Sequence, residues 1–273
     1  MDRFWRNRLA VLGAVLVAAM LAVALAAPWL APADPTVANL EEVMQPASRA
    51  HPLGTDELGR DLSSRIVWGA RTSMLIGAVV LVIALVAGTV VGFAAGWWGG
   101  LIDDVLMRAV DVLMTFPSIL LAMAIVAALG PGLVNVMIAV GVSAVPRFAR
   151  IGRAVLLSLR YEVFVEAAWA LGASDLRIVG RHILPNTLAP LAVQSSLLFA
   201  TAIQSAAGLG FLGLGAQPPT AEWGAMLADS RVHMRVAPML VAAPGLAIMI
   251  ATTAFNLLGD GLRDALDVRL RTP

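Results

Sequence analysis

Chemistry needs reactive side chains within reach of one another, and this chain offers few. Its three histidines, His51, His182 and His233, lie far apart, and none stands in an HExxH or similar metal-ligand spacing. Surface or loop histidine is the plainer reading. Cysteine is absent, which removes disulfides, thiol nucleophiles and thiolate metal sites. All 19 basic residues are Arg. A Walker A loop needs a Lys to reach nucleotide phosphates, so any ATP hydrolysis tied to this chain must come from another subunit. His51 with Asp56 and Asp61 suggests metal capture, but Pro52, Gly54 and Gly59 are turn formers and give the segment the character of an ordinary loop. Two sets of residues remain for function. One is a charged stretch from Arg147 to Asn186. The other is neutral polar residues within apolar runs: Ser143, Gln194, Ser195, Ser196, Gln204, Ser205, Thr252, Thr253 and Asn256.

The elements that must position these residues belong in a bilayer. Of the 273 residues only 14% are charged, against about 25% in a soluble domain. The net charge of +1 gives no field that would draw nucleic acid. About 20 apolar residues span a membrane as a helix. Leu9–Ala31 and Met74–Trp98 are charge-free and fit one span each. Residues 112–146 are too long for one, and Gly130-Pro131-Gly132 divides them into a hairpin. The third span is expected to begin within Asp103–Asp111, and the fourth to run on toward Arg147. The fifth is placed at Leu188–Leu214 and the sixth within Val236–Gly259. The first run has a rival reading as a signal peptide, but it exceeds the usual 7–15 residues of such an apolar core, which favours a retained anchor.

Arginine placement orients the six spans. With both termini inside, the inner segments hold Arg3, Arg6, Arg8, Arg108, six Arg between 147 and 181, and Arg263, Arg269 and Arg271. The outer segments hold Arg49, Arg60, Arg65, Arg71, Arg231 and Arg235. The excess sits inside. Residues 32–72 then form an outer loop of mixed charge, suited either to a transient protein contact or to a solvated connector. Span cores are expected to lack ionisable residues, which speaks against a proton- or sodium-coupled carrier. Leu101–Met114 has helical amphipathic spacing and reads equally as an interfacial helix or as the inner end of span three. Gly208, Gly210, Gly213 and Gly215 allow close packing, or a bend that could gate.

The inner segment reads EAAWALGASDLRIVGRHILPN from Glu166 to Asn186. Glu162 to Leu171 favours helix. Gly172 suits a helix C-terminus, and Ser174 or Asp175 can cap a second helix. Pro185 marks the return to the membrane. Ala167, Ala168 and Gly172 are small enough to let a partner approach.

Here the residues resemble a known family. Glu166-Ala167-Ala168, then Gly172, then Leu184-Pro185 follows position by position the EAA loop of type I ABC importer permeases. His182 stands where the general pattern has Ile, and the HILPN variant is similar to the peptide and nickel branch. The segments His51–Met74, Leu212–Arg231 and Asn256–Arg271 resemble that branch too, above all its C-type dipeptide and oligopeptide permeases. The resemblance implies an all-α polytopic membrane protein of six transmembrane helices with both termini cytoplasmic. It implies residues 1–31 as flank and first span, a permease core at 73–260 with a cytoplasmic coupling loop at 147–186, and a tail at 261–273. It implies a non-catalytic subunit in a bacterial inner membrane, with ATP and Mg held on two partner ATPase subunits, a homologous second permease, an extracytoplasmic solute-binding protein, and dipeptides, oligopeptides, glutathione or nickel complexes as cargo. Glu166, Ala167, Ala168, Gly172, Leu184 and Pro185 would meet the ATPase. Arg177 and Arg181 would join them, or simply sit near inner lipid headgroups. Gln194, Ser195, Gln204, Ser205 and Asn256 are candidates for the translocation path. A secondary carrier, an intramembrane enzyme and a structural scaffold are the rival classes.

Overall fold

The computed structural model describes residues 2–266. Arg269 and Arg271 of the inner flank, and the end of the 261–273 tail, lie outside the described residues. A short turn α1 (Asp2–Arg6) precedes α2 (Arg8–Leu25) and α3 (Ala27–Leu30). An irregular segment leads to α4 (Leu62–Trp98). Then come α5 (Gly100–Met114), α6 (Ser118–Leu129), α7 (Leu133–Arg160), α8 (Val163–Ala170) and α9 (Asp175–Ile178). A π-helical turn, Val179–Ile183, joins α9 to α10 (Leu184–Phe211), and α11 (Trp223–Ser230) and α12 (Met239–Leu266) follow. Among the described residues five helical runs are long and apolar enough to cross a bilayer, and the bent pair α5–α6 makes up to a sixth.

Helix α4 is the hub. On one side it meets α7 along a seam of Gly88, Gly92 and Gly96. There a Cβ at Gly88 would strike the Phe148 side chain, and one at Gly92 the Ala149 carbonyl. Small residues at four-residue spacing let two backbones close and dispersion contacts accumulate. Its other faces pack on α10, α2 and α12 through Met74, Ala70, Phe199, Ile203 and Phe255. The Phe199 and Phe255 rings stack at 4.0 Å. Helix α2 lies at the edge on α12, where Gly13 meets Leu257 and Leu258. Leu9, Leu12, Val15 and Leu25 are exposed, as an outermost span facing lipid would leave them.

Several boundaries differ from expectation. Asp61 ends the loop placed at 32–72. Its carboxylate accepts from the Ser64 amide at 2.6 Å and caps α4. The third span, placed as starting within Asp103–Asp111, is broken in two. Pro117 has no amide and disfavours helix at the residue before it, and α5 and α6 meet there at 92°. Of the two readings of Leu101–Met114, the structure takes the amphipathic helix. Asp103 and Asp111 hold Arg153 and Arg150 of α7, while Leu101, Val105 and Val112 face outward. The hairpin at 130–132 is as expected and is tied to the Leu214 carbonyl through Gly132 N–H at 3.1 Å. The fourth span continues as helix to Arg160, because nothing after Arg147 breaks it before Tyr161. The loop placed at 147–186 is therefore only 161–183. The fifth span starts at Leu184, with Pro185 in its first turn where no amide is needed, and it ends at Phe211. The sixth runs past Gly259 to Leu266. The glycines after α10 do not bend it. Gly213 has a positive φ and closes its C-terminus, and Gly210 packs on Glu222 and Ala225 of the α11 start.

The segment before α4 is folded, not a solvated connector. Arg60 lies against Asp56 at 2.6 Å and Glu57 at 3.1 Å. Arg65 of α4 reaches Asp56 at 3.3 Å and donates to the Pro35 carbonyl at 3.1 Å. Asp56, Arg60, Asp61 and Arg65 are each 3% exposed, so their charges are neutralised within the fold. Both ring nitrogens of His51 face carboxylates, Nδ1 to Asp61 at 3.0 Å and Nε2 to Glu42 at 3.3 Å. Among the described residues no three His, Asp or Glu side chains form a metal site.

The Asp61 hydrogen bond raises the His51 pKa above its ordinary 6.5. A raised pKa in the folded state stabilises below the unfolded value, and that stabilisation is lost as pH climbs through the folded one. Hydrogen-exchange protection of residues 40–61, corrected for intrinsic rates, is expected to fall between pH 6 and pH 8. In His51→Gln it should stay level. An equal fall in both proteins would remove His51 as the cause.

Candidate functional site

The loop between α7 and α10 rests on a small cluster of its own. Val165, Ala168, Ile178 and Ile183 bury against Trp97 at the end of α4 and Leu156 near the end of α7. Asp175, in the first turn of α9, accepts from Trp97 Nε1 at 3.0 Å and Trp169 Nε1 at 3.3 Å, with the two indoles 5.6 Å apart. Arg160 donates to the Gly96 carbonyl at 3.1 Å and lies over Trp97. Ser174 is the residue before α9, but its side chain makes no capping hydrogen bond. The Asp175 carboxylate is committed to the indoles.

The loop's outer surface sets large apolar side chains among charged ones. Tyr161, Val163, Leu171 and Leu176 are 72%, 77%, 88% and 84% exposed. Glu166 and Ala167 lie on the open side of α8, whereas Ala168 is buried inward. Gly172 turns the chain between the two helices at φ +79°, with nothing within 4 Å of where a Cβ would stand. Arg177, Arg181, Leu184 and Pro185 are exposed. His182, the departure from the general pattern, packs its ring 6.5 Å from Phe164.

The path candidates separate. Ser143, Gln204 and Ser205 line one groove between α7, α10 and the α5–α6 elbow, with a cavity of about 370 Å³. Gln194 lies nearer the start of α10, half-buried. Ser195 spends its hydroxyl on the Leu191 carbonyl at 2.7 Å. Asn256 is exposed on α12 and does not line that groove. Helix α7 itself runs on through Arg147, Arg150 and Arg153 without interruption.

A family model for a binding-protein-dependent transport system inner membrane component matches residues 88–272. The chain belongs to this family. A second model, the N-terminal TM domain of oligopeptide transport permease C, matches residues 1–50. The chain is 47% identical to the dipeptide transport system permease protein DppC of Alkalihalophilus pseudofirmus, over 98% of this chain and 88% of that one. It is 44% identical to the di/tripeptide transport system permease protein DppC of Pseudomonas aeruginosa (99% and 93%). It is 46% identical to the glutathione transport system permease protein GsiD of Escherichia coli (98% and 89%). Its fold matches a chain of the inward-facing MetNI methionine ABC transporter with TM-score 0.59 at 20% identity, over 76% of this chain and 98% of that one. This inner membrane component is thus the multi-pass, non-catalytic permease subunit of an ABC importer.

For this permease, sequence reasoning missed Trp97 and Trp169 and read Asp175 only as a helix cap; Trp97 and Asp175 are 78 apart in sequence and carry no local sign of meeting. Asp175→Asn removes the charge from a doubly used acceptor. It is expected to loosen the loop by about 1 kcal/mol, a value kept low because Asp175 is exposed. Tryptophan emission should shift to the red, and proteolysis between 161 and 178 should quicken. Unchanged emission and cleavage would show that the indoles hold the loop without the carboxylate.

Proposed function

We propose that this permease forms half of the translocation path of an ATP-driven importer of short peptides, glutathione included, and that residues 161–183 dock on an ATPase subunit. A second, homologous permease supplies the other half. Two ATP-binding subunits carry ATP and Mg, and an extracytoplasmic solute-binding protein delivers cargo. The observation that carries this reading is a loop seated on its own buried cluster that leaves Leu171 and Leu176 uncovered at its tip. Large exposed apolar patches on polar-rimmed surfaces are sites of protein contact. Glu166 and Ala167 border the tip, Gly172 makes its turn, Ala168 seats α8, and Leu184-Pro185 return the chain to the bilayer. Arg177 and Arg181 flank the same surface. The arginine excess supports placing this loop and both termini in the cytoplasm and residues 31–61 outside. Identities of 44–47% to dipeptide and di/tripeptide permeases support peptides as cargo.

The test is purification of the tagged chain from mildly solubilised native membranes, followed by reconstitution with its binding protein. An ATP-hydrolysing partner and a second permease are expected to copurify, and labelled dipeptide should enter proteoliposomes only with ATP. Copurification of no ATPase would overturn the docking reading. An assembled ATPase complex that moves no peptide would overturn the cargo.

A further inference from the structure

The arginines of α7 have unequal surroundings. Arg153 is held by Asp103 through two hydrogen bonds of 2.6 and 2.5 Å, and Arg150 by Asp111 at 2.6 Å. One turn earlier, Arg147 opens instead into the groove beside Ser143, Thr201, Gln204 and Ser205. That lining contains no carboxylate, and among the described residues none lies within 4.0 Å of Arg147. Counted from the hairpin at Gly132 as the outer edge of the bilayer, Arg147 stands about 22 Å along α7, inside the roughly 30 Å of hydrocarbon. A cation at such depth needs a partner or a watery path, and the chain supplies no anion at this point.

Resting on the importer reading above, the geometry points to Arg147 as the residue that receives the substrate's carboxylate during passage. A guanidinium presents paired donors that match a carboxylate's two oxygens. The hydroxyls and amide around it hydrogen-bond without demanding one side chain, and the cavity falls within the size of small-molecule sites. Every peptide with a free C-terminus carries that carboxylate whatever its sequence, so one fixed cation reads the feature shared by varied cargo. The second permease would close the open side of the groove.

The experiment uses the reconstituted importer with its binding protein, and compares Ala-Ala with its C-terminal amide. Uptake is divided by the measured fraction of loaded binding protein, so that delivery is removed from the ratio. Wild type is expected to prefer the acid by at least about tenfold. Arg147→Gln should bring the ratio close to one, and Arg147→Lys should keep a reduced preference. Gln204→Glu, which places a competing carboxylate in the groove with Arg147 intact, should also collapse the ratio, and it carries the test if Arg147→Gln fails to assemble. A wild type without preference overturns the inference. So does an Arg147→Gln or Gln204→Glu variant that loses acid and amide uptake equally. Failure of wild type to move either compound would instead be failure of the peptide reading itself, visible before any variant is made.

Discussion

Gly92→Leu is expected to leave almost no folded permease. The Cβ of residue 92 would meet the Ala149 carbonyl and come within 2.8 Å of the Arg153 amide nitrogen. Both are backbone atoms of α7, which no rotamer change can move aside. Relief requires the two helices to part, and parting them undoes the contacts at Gly88 and Gly96 as well. Overpacking a well-filled site costs about 1–3 kcal/mol. A clash against rigid backbone in the main helix pair belongs at or above the top of that range, a large share of a marginal stability. The check is size-exclusion and thermal denaturation in detergent beside Gly245→Leu, whose Cβ meets nothing within 4 Å. Gly245→Leu should elute and melt as wild type does. A monodisperse Gly92→Leu protein melting within a few degrees of it would show that the seam yields more easily than its geometry implies.

Replacing Leu171 and Leu176 together by Asp should sever the permease from its ATPase and leave the fold intact. The two side chains are 88% and 84% exposed, so the isolated chain loses almost no packing. Buried at an interface, each is the kind of central anchor whose truncation costs about 2 kcal/mol, and a carboxylate there adds desolvation. The association should weaken by at least roughly 100-fold. In the pull-down the double variant should retain the second permease, lose the ATPase, and show no ATP-driven uptake. Gly172→Ala makes a useful contrast. It introduces left-handed strain of about 1–2 kcal/mol at one residue without adding charge, and should only weaken docking. Stoichiometric recovery of the ATPase with both Asp substitutions would remove the apolar tip from the interface.

What the sequence disclosed was local. Gly130-Pro131-Gly132 marks a hairpin because those residues cannot continue a helix. The alanine-rich run closed by Gly172 becomes a helix and turn for the same kind of reason. The 92° elbow was less open to reading. Pro117 announced a break, but the ion pairs that set α5 against α7 join residues 39 and 50 apart. The glycine seam was present as a four-residue spacing at 88, 92 and 96 and went unread beside the more crowded glycines at 208–215, of which Gly210 packs on α11 and Gly213 closes α10. Charge misled twice. Asp56, Arg60 and Arg65 looked solvated because a sequence does not show that opposite charges will be buried together. Arg147 looked like the end of a helix because its charge was taken as the edge, although nothing after it breaks α7 before Tyr161. The candidate path was half legible. Gln204 and Ser205 reach the groove, but Ser195 only satisfies its own helix and Asn256 stands elsewhere.

The π-helical turn at Val179–Ile183 has a mechanical consequence. It keeps α9 and α10 in one helical run of 37 residues, Asp175 to Phe211, about 55 Å long. One end carries the exposed Leu176. The other packs through Gly210 on the start of α11, on the opposite side of the bundle. Such a run behaves as a lever. A tilt of roughly 10° about one end displaces the other by about 10 Å over that length. The π turn, with its weaker hydrogen-bond register, is the place where the lever can take up a mismatch in angle without breaking. Stiffness in this one strut fixes how much movement at the loop becomes movement at the far mouth of the path.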